Sequence, residues 1–189
     1  YRAAYDETDD GTVLHLTLGP SESTVVIFDD SVDNPSGLLP MCGQRRISDS
    51  VYVPGPWRVS LCAPKEYPDF KPLTSVKAPL HDIGRLSRDF SGFIRYEAEF
   101  EARAAAAVLS IDNAYEGVEL WVNDSYAGMK LCPPYCFDLT GLLKDGKNSI
   151  RIEVATTLYR KVKAMEEGYN PFGNPAAVQE PVGIIGTVT

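Results

Sequence analysis

Apolar and polar residues alternate with a period of two along much of this chain, the pattern of strands that bury one face. Over residues 93–101, Ile94, Tyr96, Ala98 and Phe100 interleave with Arg95, Glu97, Glu99 and Glu101. Only an extended backbone sends those two sets to opposite sides. The same alternation sets Val118, Leu120 and Val122 against Glu119 and Trp121 over 118–123. It sets Ile150, Ile152 and Val154 against Arg151 and Glu153 over 149–156. Weaker candidates lie at 13–18, 24–28, 57–62, 108–111 and 183–188. About eight short strands punctuated by Gly, Pro and Asn predict an all-β protein, an antiparallel β-sandwich with roughly half its residues in strands and under ~10% in helix. Ile94, Tyr96, Phe100, Leu120, Val122, Ile150, Ile152 and Val154 are expected to share one core between two sheets.

Helix signals are few. Residues 138–146 begin with Asp138 and end with Gly146, which predicts one short helical turn. Leu158, Val162 and Met165 have the spacing of one helical face, cut short by Gly168 and Pro171. Residues 159–181 otherwise lack a strand pattern and read as a long loop, of the kind that often carries function. The Asp-, Pro- and Gly-rich stretch 29–50 reads as a connection. Before it, two strand candidates flank Gly19-Pro20-Ser21, a hairpin too small to be stable alone. The expected organisation is a β-hairpin over 1–34, trailing from a preceding domain, a linker over 35–50 and a β-sandwich over 51–189.

Charge narrows the partners. Eighteen Lys and Arg against 26 Asp and Glu leave a net −8, with a pI near 4.8. Such a chain repels phosphate backbones and anionic lipid, so neither nucleic acid nor membrane is an expected partner. The longest apolar run, Ala104 to Leu109, is far shorter than the ~20 residues of a spanning helix. The chain opens at Tyr1 without a signal-peptide pattern, so a segment excised or processed from a larger parent is expected, and the compartment stays open. Cys42, Cys62, Cys132 and Cys136 form no C-x-x-C pair. With two histidines in the chain they make no zinc set, and free thiols are expected.

Five segments stand in a telling order. Trp57-Arg58-Val59 opens a strand. Gly92 to Phe100 follows the pattern G-x-x-x-Y-x-x-x-F, and Val118-Glu119-Leu120-Trp121-Val122-Asn123 comes next. Pro134 to Thr140 reads P-x-x-F-D-L-T, followed by L-x-x-G-x-N over Leu143 to Asn148. Gly183-Ile184-Ile185-Gly186-Thr187-Val188 closes the series. From Trp57 to its end the chain resembles the sugar-binding domain of family 2 glycoside hydrolases and related large bacterial glycosidases, a galactose-binding-like jelly roll. It departs from that pattern at Asp124, where the family carries Gly. The resemblance implies a non-catalytic accessory domain whose partner is the catalytic domain of the same parent chain, since the family's catalytic carboxylates lie in a separate barrel. It also implies that the loop after the last long strand reaches toward that barrel. No cofactor is implied beyond a structural calcium ion, for which Asp29, Asp30 and Asp33 offer oxygens without EF-hand spacing.

Candidate chemistry is sparse. Glu97 and Glu99 share a strand face at a spacing that suits a glycosidase pair. An alternating strand normally leaves such residues in water, so no catalytic residue is assigned. Glu166 and Glu167 receive the same reading. Trp121 points opposite Leu120 and Val122; it suits stacking on a sugar face or burial against another domain. Tyr115, Tyr126 and Tyr135 lie in or beside loops, able to line a rim or to plug the sandwich end. Arg160 and Tyr169 are the polar and aromatic candidates in the 159–181 loop. Trp121, Tyr115, Tyr135, Arg160 and Tyr169 are the carbohydrate-binding candidates. The alternatives to a bracing domain are an autonomous carbohydrate-binding module, which needs exposed rings, and a purely structural spacer, which does not.

Overall fold

A computed structural model of the chain describes residues 5–16, 18, 23–26, 52–103, 107–167 and 181–189. Among them strands take 51% and helix 7%, an all-β architecture. Strands β1 (Tyr5–Thr8) and β2 (Gly11–Leu14) form a small hairpin. A six-stranded antiparallel sheet follows the order β4-β3-β5-β10-β7-β8. Its members are β3 (Trp57–Cys62), β4 (Lys71–Val76), β5 (Phe93–Ala102), β7 (Gly117–Val122), β8 (Ser125–Lys130) and β10 (Gly146–Ala155). Strands β6 (Val108–Tyr115), β9 (Tyr135–Asp138) and β11 (Gly183–Val188) make a three-stranded sheet, order β11-β6-β9.

The two sheets close on a single core. Trp57, Val59, Ile94, Tyr96, Leu120 and Ile152 rise from the large sheet, each 1% exposed or less. Leu109, Ile111, Phe137, Ile184 and Val188 meet them from the small one. All eight residues expected in a shared core are there, with Phe100 at its margin. Trp57 is wholly buried, and its indole N–H donates to the Val53 carbonyl at 3.2 Å, as a buried indole must.

Local chemistry sets the boundaries and accounts for the departures from expectation. The first hairpin closes upstream of the expected one, at Asp9 and Asp10, with Gly11 at φ +137°; residues 23–26 carry no strand. The expected helical turn over 138–146 is absent. The buried Asn148 side chain accepts from Lys144 N–H and donates to the Lys144 and Gly146 carbonyls, all within 2.9 Å. Those are the backbone groups a helix would pair internally. Asn123 and Asp124 take φ +50° and +63° in the two-residue β7–β8 turn, the left-handed pair such a hairpin needs. Asp124 thus occupies the position where a glycine is expected. The stretch read as a loop from 159 begins with a helix, α1 (Tyr159–Glu167), built on the Leu158, Val162 and Met165 spacing. The expected 35–50 linker lies outside the described residues.

Candidate functional site

Three of the five sequence candidates gather at one end of the sandwich. Tyr115 ends β6 and Tyr135 opens β9. The buried Tyr135 hydroxyl points its hydrogen between the carbonyls of Ala114 and Glu116, at 3.1 and 3.0 Å. Tyr135 is thus a bolt under the Tyr115–Glu116 turn rather than a contact surface. Burial, and secondarily Glu116, raises its phenol above the ordinary tyrosine range. Arg160, in the first turn of α1, is 5% exposed. Its Nη1 donates to the Arg88 carbonyl at 3.1 Å and its Nη2 lies 3.8 Å from Asp82. Gly84 makes room for it, because a Cβ there would overlap the guanidinium. Asp82 in turn accepts from the N–H groups of Gly84 and Val182 at 2.8 and 2.9 Å, tying this end to the start of β11. A shallow groove runs between Phe90, Tyr115, Glu116, Thr156, Tyr159 and Arg160. Arg85 and Arg88 stand exposed beside it. Sequence reasoning missed Asp82, Arg85, Arg88 and Glu116, since none sits in a period or a motif.

Trp121 lies elsewhere, on the outer face of the large sheet, as the alternation predicts. Cross-strand pairing lays side chains in rows there. One row runs Arg58, Glu97, Arg151, Trp121 and Tyr126; the next runs Ser60, Arg95, Glu153, Glu119 and Met129. The Arg151 guanidinium stacks 4.3 Å from the Trp121 ring, and Tyr126 packs against that ring at 5.4 Å. At the β3–β5 side the segment 63–70 folds over the face. Tyr67 packs on Phe93 at 4.9 Å, and Phe70 lies under the Arg95 guanidinium at 3.7 Å. Beneath this strap Glu153 is only 4% exposed although it faces outward. Its Oε1 accepts from Arg95 Nε and Nη2 at 2.9 and 2.8 Å, and its Oε2 accepts from the Tyr67 hydroxyl at 3.3 Å. Burial first, then Glu153, raises the Tyr67 phenol; burial chiefly raises the Cys62 thiol beneath the same strap.

The remaining sequence candidates resolve simply. Glu97 lies 3.9 Å from Arg58 and Glu99 lies 2.7 Å from Lys147, so the two are members of a charge ladder. Asn123-Asp124-Ser125 has the spacing of an N-glycosylation sequon, but its asparagine is committed to the fold. Asn123 Nδ2 donates to the Leu142 carbonyl and Asn148 Oδ1, at 2.9 and 2.8 Å. Cys62 and Cys136 are free thiols. Tyr169, Cys42, Asp29, Asp30 and Asp33 lie outside the described residues.

This architecture occurs in a solved glycosidase. The chain superposes on the rhamnosidase from Novosphingobium sp. PP1Y with a TM-score of 0.69 at 21% identity, over 98% of this chain and 19% of that one. Its fold is that of a segment of a glycoside hydrolase. Partial likeness extends to the GH2 beta-galacturonidase from Eisenbergiella tayi, with a TM-score of 0.49 and 14% identity, over 70% of this chain and 22% of that one. A Faecalibacterium prausnitzii beta-glucuronidase gives 0.49 and 17%, over 80% and 32%. The chain spans about a fifth to a third of the length of these solved chains. No family model matches the chain, and no curated protein matches it in sequence.

Proposed function

We propose that this chain is a non-catalytic domain of a multidomain glycoside hydrolase, which braces the catalytic domain through the sandwich end that carries α1. The observation carrying this reading is the superposition of nearly the whole chain on a fifth of a rhamnosidase, since a segment of that share serves within a larger molecule. The surface chemistry agrees. Helix α1 turns Arg160 inward and leaves Val162 and Met165 outward, 48% and 71% exposed, with Leu158 just before it 58% exposed. An apolar stripe of that kind marks a contact surface. The chemistry of hydrolysis asks for two carboxyls flanking a sugar, one with its proton held by an apolar pocket. Glu97 and Glu99 lie instead on an exposed ladder, and Glu153 is held by Arg95.

The test is direct. The 189-residue chain, assayed on a panel of aryl glycosides that includes aryl rhamnosides and aryl glucuronides, is expected to turn over none. Turnover abolished by a single Glu→Gln change would overturn the non-catalytic reading.

A further inference from the structure

We propose that Arg85 and Arg88, beside the buried Arg160, form a clamp for carboxylate side chains of the neighbouring domain. This deepens the bracing reading, on which it rests for the partner alone. The clamp itself is argued from a cavity and its charges.

Asp82, Gly84, Arg85, Arg88 and Arg160 line an open cavity of about 290 Å³ at the α1 end of the sandwich. Local structure explains why they meet. Asp82 caps a short 3-10 turn, Ile83–Arg85, by accepting the Gly84 N–H. The winding continues with Leu86 N–H and Ser87 N–H donating to the Ile83 carbonyl at 2.9 and 3.0 Å, and Phe90 N–H to that of Ser87 at 3.3 Å. Side chains three apart on so tight a winding stand on one side, which groups Arg85 with Arg88. Arg160 arrives from α1 and is anchored on the Arg88 carbonyl at 3.1 Å.

Three guanidiniums against one carboxylate leave this cavity a surplus of two positive charges, on a chain of net −8. Asp82 is already engaged, by the N–H groups of Gly84 and Val182 and by Arg160 at 3.8 Å. Arg85 and Arg88 are exposed and make no ion pair among the described residues. Asp89, next to Arg88 and likewise exposed, pairs with neither. The arginines of the large sheet contrast with them: Arg58, Arg95 and Arg151 each have a glutamate within 4 Å.

A carboxylate is the anion that fits. The guanidinium fork accepts it through two parallel hydrogen bonds, and a surplus of two matches one or two such groups. A polyanion would also meet the acidic remainder of the chain and be repelled. Glu116 lines the groove on the other side of Arg160, so an incoming acid is directed to the arginine side. The source is a protein surface rather than a free small anion. Small-molecule sites enclose most of their ligand, whereas this cavity is open. Leu86, between the two arginines in sequence, is 58% exposed, apolar area that a macromolecular partner covers.

Nuclear magnetic resonance on the arginine-labelled 189-residue chain tests the clamp. The probes are the capped peptide Leu-Glu-Glu-Leu, its neutral counterpart Leu-Gln-Gln-Leu, and inorganic phosphate. The acidic peptide is expected to shift the Nε–H signals of Arg85 and Arg88 saturably, and the neutral one to leave them in place. Raising the ionic strength from about 0.05 to about 0.5 M should weaken the effect several-fold. Arg85→Gln with Arg88→Gln should weaken it at least tenfold, the scale of a lost charged hydrogen bond. Arg58→Gln, on the large sheet, should not. The double variant should keep the melting temperature of the unsubstituted chain, since neither side chain is buried or paired; lost binding is then not lost folding. No saturable shift at Arg85 and Arg88, equal shifts from the neutral peptide, or tighter binding of phosphate than of the acidic peptide would each overturn the clamp. Each leaves the bracing reading standing on the α1 stripe. Glycosidase turnover by this chain would sink that reading and leave the arginine shifts as they are.

Discussion

Tyr96 joins the two layers with one atom. Its ring lies wholly inside the core, and its hydroxyl accepts the Ile184 N–H across the sandwich at 3.1 Å. Gly183, at φ +86°, leaves the space that oxygen needs, because a Cβ there would strike it. Tyr96→Phe leaves the Ile184 N–H buried without an acceptor. The expected cost is about 1–3 kcal/mol, read as a lower urea midpoint. The same residue sets an alkaline limit. Burial pushes its phenol well above the ordinary tyrosine value of 10.0. A raised folded-state pKa means that its contribution is complete below pH ~10, and is lost as pH climbs past the unfolded value. Urea midpoints between pH 8 and 11 should therefore fall less steeply in Tyr96→Phe than in the parent chain. Equal slopes would assign the alkaline loss to Tyr67 and Tyr135, whose phenols burial also raises.

At the scale of elements, the strap over 63–70 converts an outward strand position into an inward one. Glu153 lies on the polar face of β10 by alternation, yet Tyr67, Phe70 and Arg95 enclose it. Glu153→Ala abandons Arg95 in a half-closed site and should cost about 3–5 kcal/mol, as for other broken buried pairs. Glu153→Leu combined with Arg95→Met should recover most of that loss. Additive losses in the double variant would show that the pair is not coupled. This burial is the kind of feature that sequence does not display. Period-two patterning located β3, β5, β7, β10 and β11 because each presents alternate residues to one core. Strands β4, β8 and β9 escaped it. The first two are sheet edges, β4 carrying Pro72, and β9 is four residues long. Trp121 was legible as outward for the same reason that Leu120 was legible as inward. Its neighbours Arg151 and Tyr126 come from other strands, and only register brings them together.

For the whole molecule, the question is what meets the stripe on α1. Leu158, Val162 and Met165 contribute nothing to the core cluster. Val162→Asp and Met165→Asp should then leave the stability of the isolated chain within about 0.5 kcal/mol. Placed in a multidomain hydrolase of the proposed kind, the same pair should lower its melting temperature and expose the junction to protease. An unchanged melting temperature there would remove α1 from the proposed bracing surface while leaving the fold untouched. The candidate site was legible in part, for a matching reason. Tyr115, Tyr135 and Arg160 converge because three chain reversals end at the same pole of the sandwich. Convergence of that kind comes from topology rather than from spacing along the chain.

Topology also dictates an order of events. The strand at the centre of the large sheet, β10, pairs with β5 on one side and β7 on the other, both made earlier in the chain. As the polypeptide leaves the ribosome, β3, β4 and β5 can pair, as can β7 and β8. The two halves present open edges until residues 146–155 emerge to join them. Those edges are rich in β-branched and aromatic residues, the composition that recruits foreign strands. Closure by a late, sequence-distant strand is slow. The interval before β10 arrives is thus the time at which this chain is most exposed to misassembly and most in need of chaperone cover.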